Sequence, residues 1–150
     1  MLLSSSCRYA LRASIYLAQQ PEGKFVATKE MCASLGISFH YLIKIMQKLN
    51  KHNLIQSERG TKGGIRLARA ANSIFIKDII ETIEGESFFT KCVLGFPNCG
   101  APDECALHKE WVAVKGNLIV FFSETSLAYF SDNDRMNDMN QEFVSALLNK

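Results

Sequence analysis

The 150-residue sequence predicts a mostly α chain with one small β-hairpin. Three observations carry this. Apolar residues recur at helical spacing over most of the first half and again from Leu107 to Ala128. Two such stretches near residue 36 are separated only by a glycine stop and two residues. Two short strand-like segments then flank Arg59-Gly-Thr-Lys-Gly-Gly64, a basic turn rich in glycine.

Taken in order, Ser5 to Gln20 reads as a helix, with Tyr9, Ala13, Tyr16 and Leu17 on one face and Pro21 as its end. Thr28 is expected to cap a short helix bearing Met31, Cys32 and Leu35, and Gly36 stops it. Ser38 is expected to cap the next helix, whose apolar stripe is Tyr41, Leu42, Ile45, Met46 and Leu49. Helix, glycine turn and helix in that order have the shape of a helix-turn-helix. Leu54–Glu58 and Ile65–Ala68 are the two strands, and with their basic turn they form a wing. Ile76, Ile79, Ile80 and Ile83 give one more helix, ending at Gly85.

The rest of the chain differs in kind. CVLGFPNCGAPDECALH, residues 92–108, holds three cysteines and a histidine among Gly and Pro, so it reads as a loop. Leu107, Trp111, Val114, Leu118, Phe121, Thr125 and Ala128 alternate in steps of four and three, a heptad seam about three repeats long. A long helix beside a small domain often cannot bury such a seam alone, so dimerisation is expected; an intramolecular core helix is the alternative. Met139, Phe143 and Leu147 suggest a short C-terminal helix. The expected organisation is therefore a winged helix-turn-helix domain at 1–85, a cysteine loop at 86–105, and a dimerisation helix with a C-terminal helix at 106–150.

Composition narrows the function. The chain is 47% hydrophobic and 21% charged, which suits a globular core. The apolar run Leu118–Phe122 is far shorter than the ~20 residues of a membrane span. No secretory leader is evident at the N-terminus, so a cytoplasmic location is expected. Five cysteines in a reducing compartment argue against a disulfide framework. Charge is uneven. Residues 1–84 carry 12 Lys/Arg against 6 Asp/Glu, while residues 85–150 carry 5 against 9.

A basic front half attracts a polyanion. A helix-turn-helix lays its second helix in the major groove of DNA, N-terminal residues nearest the bases. Those residues are Ser38, Phe39, His40 and Tyr41, with Lys44 and Lys48 placed for phosphates or base edges. Thr28 belongs to the same candidate surface, and Arg59, Thr61 and Lys62 occupy the wing. Each has an ordinary reading as well: His40 as a surface histidine, Tyr41 as core, the lysines as a solvated face. The order of the elements, more than any one residue, points to double-stranded DNA.

Arg8-Tyr-Ala-Leu-Arg12, Tyr41-Leu-Ile-Lys44, Lys48-Leu, the Arg59–Gly64 wing and Ile79-Ile-x-x-Ile-Glu-Gly85 carry a further signal. With the three-cysteine loop, they resemble the bacterial winged-helix regulators typified by IscR, NsrR and RirA, over essentially the whole chain. The resemblance implies a homodimer on operator DNA, expected to repress. It also implies that Cys92, Cys99 and Cys105 hold an iron–sulfur cluster, 2Fe–2S or 4Fe–4S, sensing redox state, nitric oxide or iron–sulfur status. Thiolates are the usual ligands of such clusters, and three on a short loop can converge.

Two residues compete as fourth ligand. His108 follows Cys105 with the spacing of the IscR-like members. Cys7 immediately precedes Arg8-Tyr-Ala, where an acidic ligand of NsrR-like members reaches in from the partner subunit. Cys7 as a packed small residue and His108 as a surface histidine are the plain alternatives, and Cys32 reads as core. Ile43 stands where IscR-like members have an acidic residue that tunes operator choice, so their operator does not transfer. A structural zinc ion or a cluster-free thiol switch in the same loop would leave the regulator reading intact. An enzyme is not expected: there is no C-x-x-C motif and no βαβ pattern around the cysteines.

Overall fold

The computed structural model describes residues 2–60, 62–96, 105–131, 138, 141, 142 and 145. Its helices are α1 (Ser5–Ala18), α2 (Thr28–Leu35), α3 (Phe39–Lys51), α4 (Ile76–Glu84) and α5 (His108–Glu124). Strands β1 (Ile55–Glu58) and β2 (Gly64–Leu67) pair antiparallel, with Ile55 opposite Leu67 and Glu58 opposite Gly64. Mostly α with one hairpin is the architecture the periodicity predicted.

Local chemistry sets the boundaries. The Ser4 hydroxyl accepts the Cys7 N–H at 3.1 Å and starts α1. Gly36 adopts the left-handed conformation (φ 62°, ψ 37°) that ends α2 and lets α3 begin three residues later. Asn53 at φ 55° ends α3 in the same way, and the chain turns into β1. The Phe75 N–H donates to the Asp78 carboxylate at 2.9 Å, which fixes the first turn of α4.

Two expected caps differ. Ala27, not Thr28, is the N-cap of α2, and Thr28 is its first helical residue. The reason is a short backbone bridge: Val26 pairs with Ile65 through two hydrogen bonds of 2.9 and 2.8 Å, which keeps the chain extended up to Ala27. Ser38 does sit at the N-cap of α3, but its side chain makes no capping bond.

One core gathers these elements. Met31, Leu35, Leu42, Leu49, Ile74, Ile79, Ile80 and Leu127 are fully buried in it. Burying each such aliphatic side chain contributes roughly 1.5–3 kcal/mol before entropy is counted. The far end of α5 shares this core. Phe122 is part of the core, Leu118 and Ile119 pack against that core, and backbone bonds join Ile76 to Thr125 and Leu127 to Ile74.

That pairing shortens the expected seam. Thr125 is extended and forms the C-cap of α5, so Thr125 and Ala128 lie beyond the helix. Along α5 itself, Val114 and Phe121 are half exposed or more, with Leu107 at its N-cap in the same register. Trp111 and Leu118 are partly covered. Met139, Phe143 and Leu147 of the expected C-terminal helix lie outside the described residues, while Asp138, Gln141, Glu142 and Ser145 in the same stretch are helical. No described helix is long and apolar enough to cross a membrane.

Candidate nucleic-acid interface and cysteine pocket

Helix α3 divides cleanly into two faces. Leu42, Ile45, Met46 and Leu49 are buried, while His40, Lys44, Gln47, Lys48 and Lys51 are exposed. The repeat of 3.6 residues per turn produces this division from the sequence pattern. Phe39 is also exposed and meets the His40 ring edge-on at 6.0 Å. Tyr41 is different. Its hydroxyl lies 2.6 Å from the Ser6 hydroxyl, and its ring stands edge-on to Tyr9 at 5.6 Å. Tyr41 therefore ties α3 to α1.

Between α3 and the wing runs a groove. Thr28, Lys29, Ile43, Gln47, Asn50 and Arg59 line it. Thr28 and Arg59 were legible in the sequence, and Lys62 is exposed on the wing beside it. Thr61 lies outside the described residues. Lys29, Gln47 and Asn50 were missed. Gln47 and Asn50 follow helical spacing from Ile43 along α3, off the apolar stripe, but only the wing turns that face into one wall of a groove.

The wing's shape depends on two glycines. A Cβ on Gly63 would collide with the Glu58 carbonyl, and one on Gly64 with the Val26 carbonyl. The second collision arises because the Val26–Ile65 bridge brings a third chain segment against the hairpin. Arg66 braces the wing's base: its guanidinium bonds Gln56 and the Gly23 carbonyl, and lies over the Phe25 ring at 4.4 Å.

A second site forms at the foot of α5. Cys92, Cys105 and His108 line one small pocket with Leu94, Leu107 and Trp111. Cys105 precedes α5 and His108 is its first residue, so their separation is fixed by the turn that starts the helix. The Trp111 indole donates to the Lys91 carbonyl at 3.2 Å and holds the two ends of the loop together. Cys99 lies outside the described residues. Among the described residues no three His, Cys, Asp or Glu side chains form a group that meets a metal site. Two thiols and an imidazole on one pocket are nonetheless the donor chemistry an iron–sulfur cluster takes.

Cys7 is not at that pocket. It is fully buried within this chain's core. Burial, and then the charge and hydrogen bond of Glu84, push its thiol up to about 12. A thiol so placed stays protonated at neutral pH, which is the packed-residue alternative for Cys7. The same Glu84 carboxylate accepts the Ser4 N–H at 2.8 Å. Cys32 is partly buried against the core, as its place beside Met31 suggests, and burial raises its pKa as well.

Comparison with known proteins agrees with this fold. A family model described as Rrf2, iron-dependent transcriptional regulator, matches residues 3–133. The HTH-type transcriptional regulator IscR of Escherichia coli O1:K1 / APEC is 30% identical over 139 residues, covering 93% of this chain and 85% of that protein. Among solved structures, IscR of T. potens superposes with a TM-score of 0.66 at 29% identity, covering 84% of this chain and 82% of that one. The oxidized form of Staphylococcus aureus CymR superposes with a TM-score of 0.70 at 27% identity, covering 88% and 97%.

Proposed function

Because this chain belongs to the Rrf2 family of transcriptional regulators, we propose that it is a homodimeric repressor whose operator affinity is set by an iron–sulfur cluster on the cysteine loop. It is a DNA-binding regulator and not an enzyme, as its relatives are. The finer reading rests on one observation: Cys92, Cys105 and His108 share a single pocket. Cys99 would join them as the third thiolate, and His108 is the fourth ligand available within one chain. Cys7 would have to leave its buried place beside Glu84 to serve instead.

Held there, an iron–sulfur cluster supplies a centre that responds to oxidation, nitric oxide and iron supply. The chain's own residues link that pocket to the DNA face. Glu84, at the end of α4 just before the segment leading to Cys92, holds Ser4 at the start of α1. Two residues on, Ser6 holds Tyr41 in the first turn of α3. Coupling of this kind is reciprocal, so operator DNA must change cluster affinity by the factor that the cluster changes DNA affinity. Dimerisation is assigned to α5, where Val114 and Phe121 stand exposed one heptad apart, with Leu107 a heptad before.

The deciding experiment is visible absorption of protein purified without oxygen, with iron and sulfide assayed on the same sample. Brown protein with matching iron and sulfide is expected, with occupancy lost in His108→Ala and kept in Cys7→Ala. Colourless protein, with zinc or without metal, overturns the cluster reading. The second reading is then a thiol switch in the same loop, which the existence of an oxidized form of the CymR relative favours.

A further inference from the structure

Gln47 is a residue on the exposed face of α3 that has no role in the regulator reading. It is exposed, and its amide makes no hydrogen bond to any described residue. Elsewhere on this surface the amide of Gln56 is held by Arg66. Gln47 lines the α3–wing groove with half-buried Ile43 one turn before it. Lys44 and Lys48 flank the pair on the solvent side. The groove is thus an amide beside an apolar patch, with cations at its edge.

The spacing suits a base edge. At 1.5 Å rise per residue, His40 to Gln47 covers about 10 Å of helix. That is roughly three base steps of about 3.4 Å. A helix lying along the major groove therefore brings His40 and Gln47 to different base pairs. A glutamine amide offers one donor and one acceptor side by side. Adenine presents the complementary pair, the N6 amino group and N7, whereas guanine presents two acceptors. An aliphatic side chain next to the amide matches the thymine methyl.

We propose that the α3–wing groove reads one A·T base pair in each half-site, Gln47 bonding the adenine edge and Ile43 packing on the thymine methyl. The proposal rests on α3 being the recognition helix. Lys44 and Lys48 act on phosphates and position the helix without reading sequence. The operator need not be known in advance, because a randomised pool reveals it.

The test is selection from short duplexes with a randomised core, followed by affinity measurement on the enriched sequence. Wild type is expected to enrich a motif with one A·T pair per half-site that it binds about tenfold better than the G·C replacement, the scale of one bidentate contact. Gln47→Ala is expected to bind both alike, and Gln47→Glu to shift the preferred base to cytosine, whose amino group a carboxylate accepts. Uracil in place of that thymine is expected to weaken wild type and not Ile43→Ala. A motif that Gln47→Ala selects unchanged, or indifference of wild type to uracil, overturns the proposal while the regulator reading stands. No enrichment by wild type overturns both.

Discussion

The hydroxyls of Ser6 and Tyr41 lie 2.6 Å apart and join the first turn of α1 to the first turn of α3. A hydrogen bond of this kind has a net worth of about 1 kcal/mol. Tyr41→Phe keeps the ring against Tyr9 and removes only the bond. It is expected to cost about 1 kcal/mol in urea unfolding, as is Ser6→Ala. The double variant should cost little more than either single, since the two changes delete one interaction. Additive losses would show that the hydroxyls act separately.

Cys7 predicts an alkaline limit to stability. Its pKa is raised from 9.0 to about 12 in the folded chain, chiefly by burial and then by Glu84. The folded state therefore holds the proton more tightly than the unfolded state. The corresponding stability is fully present below pH 9.0 and is lost as pH rises from there toward about 12. Cys7→Ser, with a hydroxyl that does not titrate in this range, is expected to flatten that decline. Equal decline in both proteins would assign it to other groups.

Protection of the thiol gives a second reading of the same placement. At neutral pH an alkylating reagent is expected to modify Cys105 in the folded, metal-free protein and Cys7 only after unfolding, because Cys7 is buried and protonated. Mass spectrometry of the peptides separates the two sites. Rapid native labelling of Cys7 would mean that α1 opens readily.

Two glycines should respond in opposite directions. Gly64 has φ +155° and faces the Val26 carbonyl, so Gly64→Ala is expected to cost about 1–3 kcal/mol and to distort the wing. Gly116 lies within α5 with open space where a Cβ would go. Gly116→Ala is expected to add about 0.5–1 kcal/mol through helix propensity. Denaturant midpoints check both, and a neutral Gly64→Ala would contradict the three-segment wing base.

Trp111 is the chain's single tryptophan and lines the pocket of Cys92, Cys105 and His108. Reconstitution with iron and sulfide is expected to quench its fluorescence strongly, whereas zinc, lacking visible absorption, should leave most of it. Unchanged emission on loading would place the metal away from this pocket.

The helix-turn-helix, the wing and the cation-bearing face of α3 were legible in sequence because they are local. Periodicity sets which face of α3 is apolar, and Gly36 marks the turn wherever the rest of the chain goes. His40, Lys44, Lys48 and Arg59 followed from that pattern. The groove residues Lys29, Gln47 and Asn50 did not, because a groove needs two walls and the second wall is the wing.

What the sequence by itself determined is thus the order of elements, the helical faces and the residue types on the cysteine loop. Tertiary structure decided the rest. It moved the α2 cap to Ala27 through the Val26–Ile65 bridge. It ended the seam at Glu124 by pairing Thr125 and Leu127 with residues 74–76. It also put two candidates in different surroundings within the chain, His108 lining one pocket with Cys92 and Cys105 and Cys7 buried beside Glu84. The physical reason is one of range. Helical periodicity and glycine conformations act over a few residues, whereas bridges, shared pockets and burial join positions tens of residues apart and exist only once the core has formed.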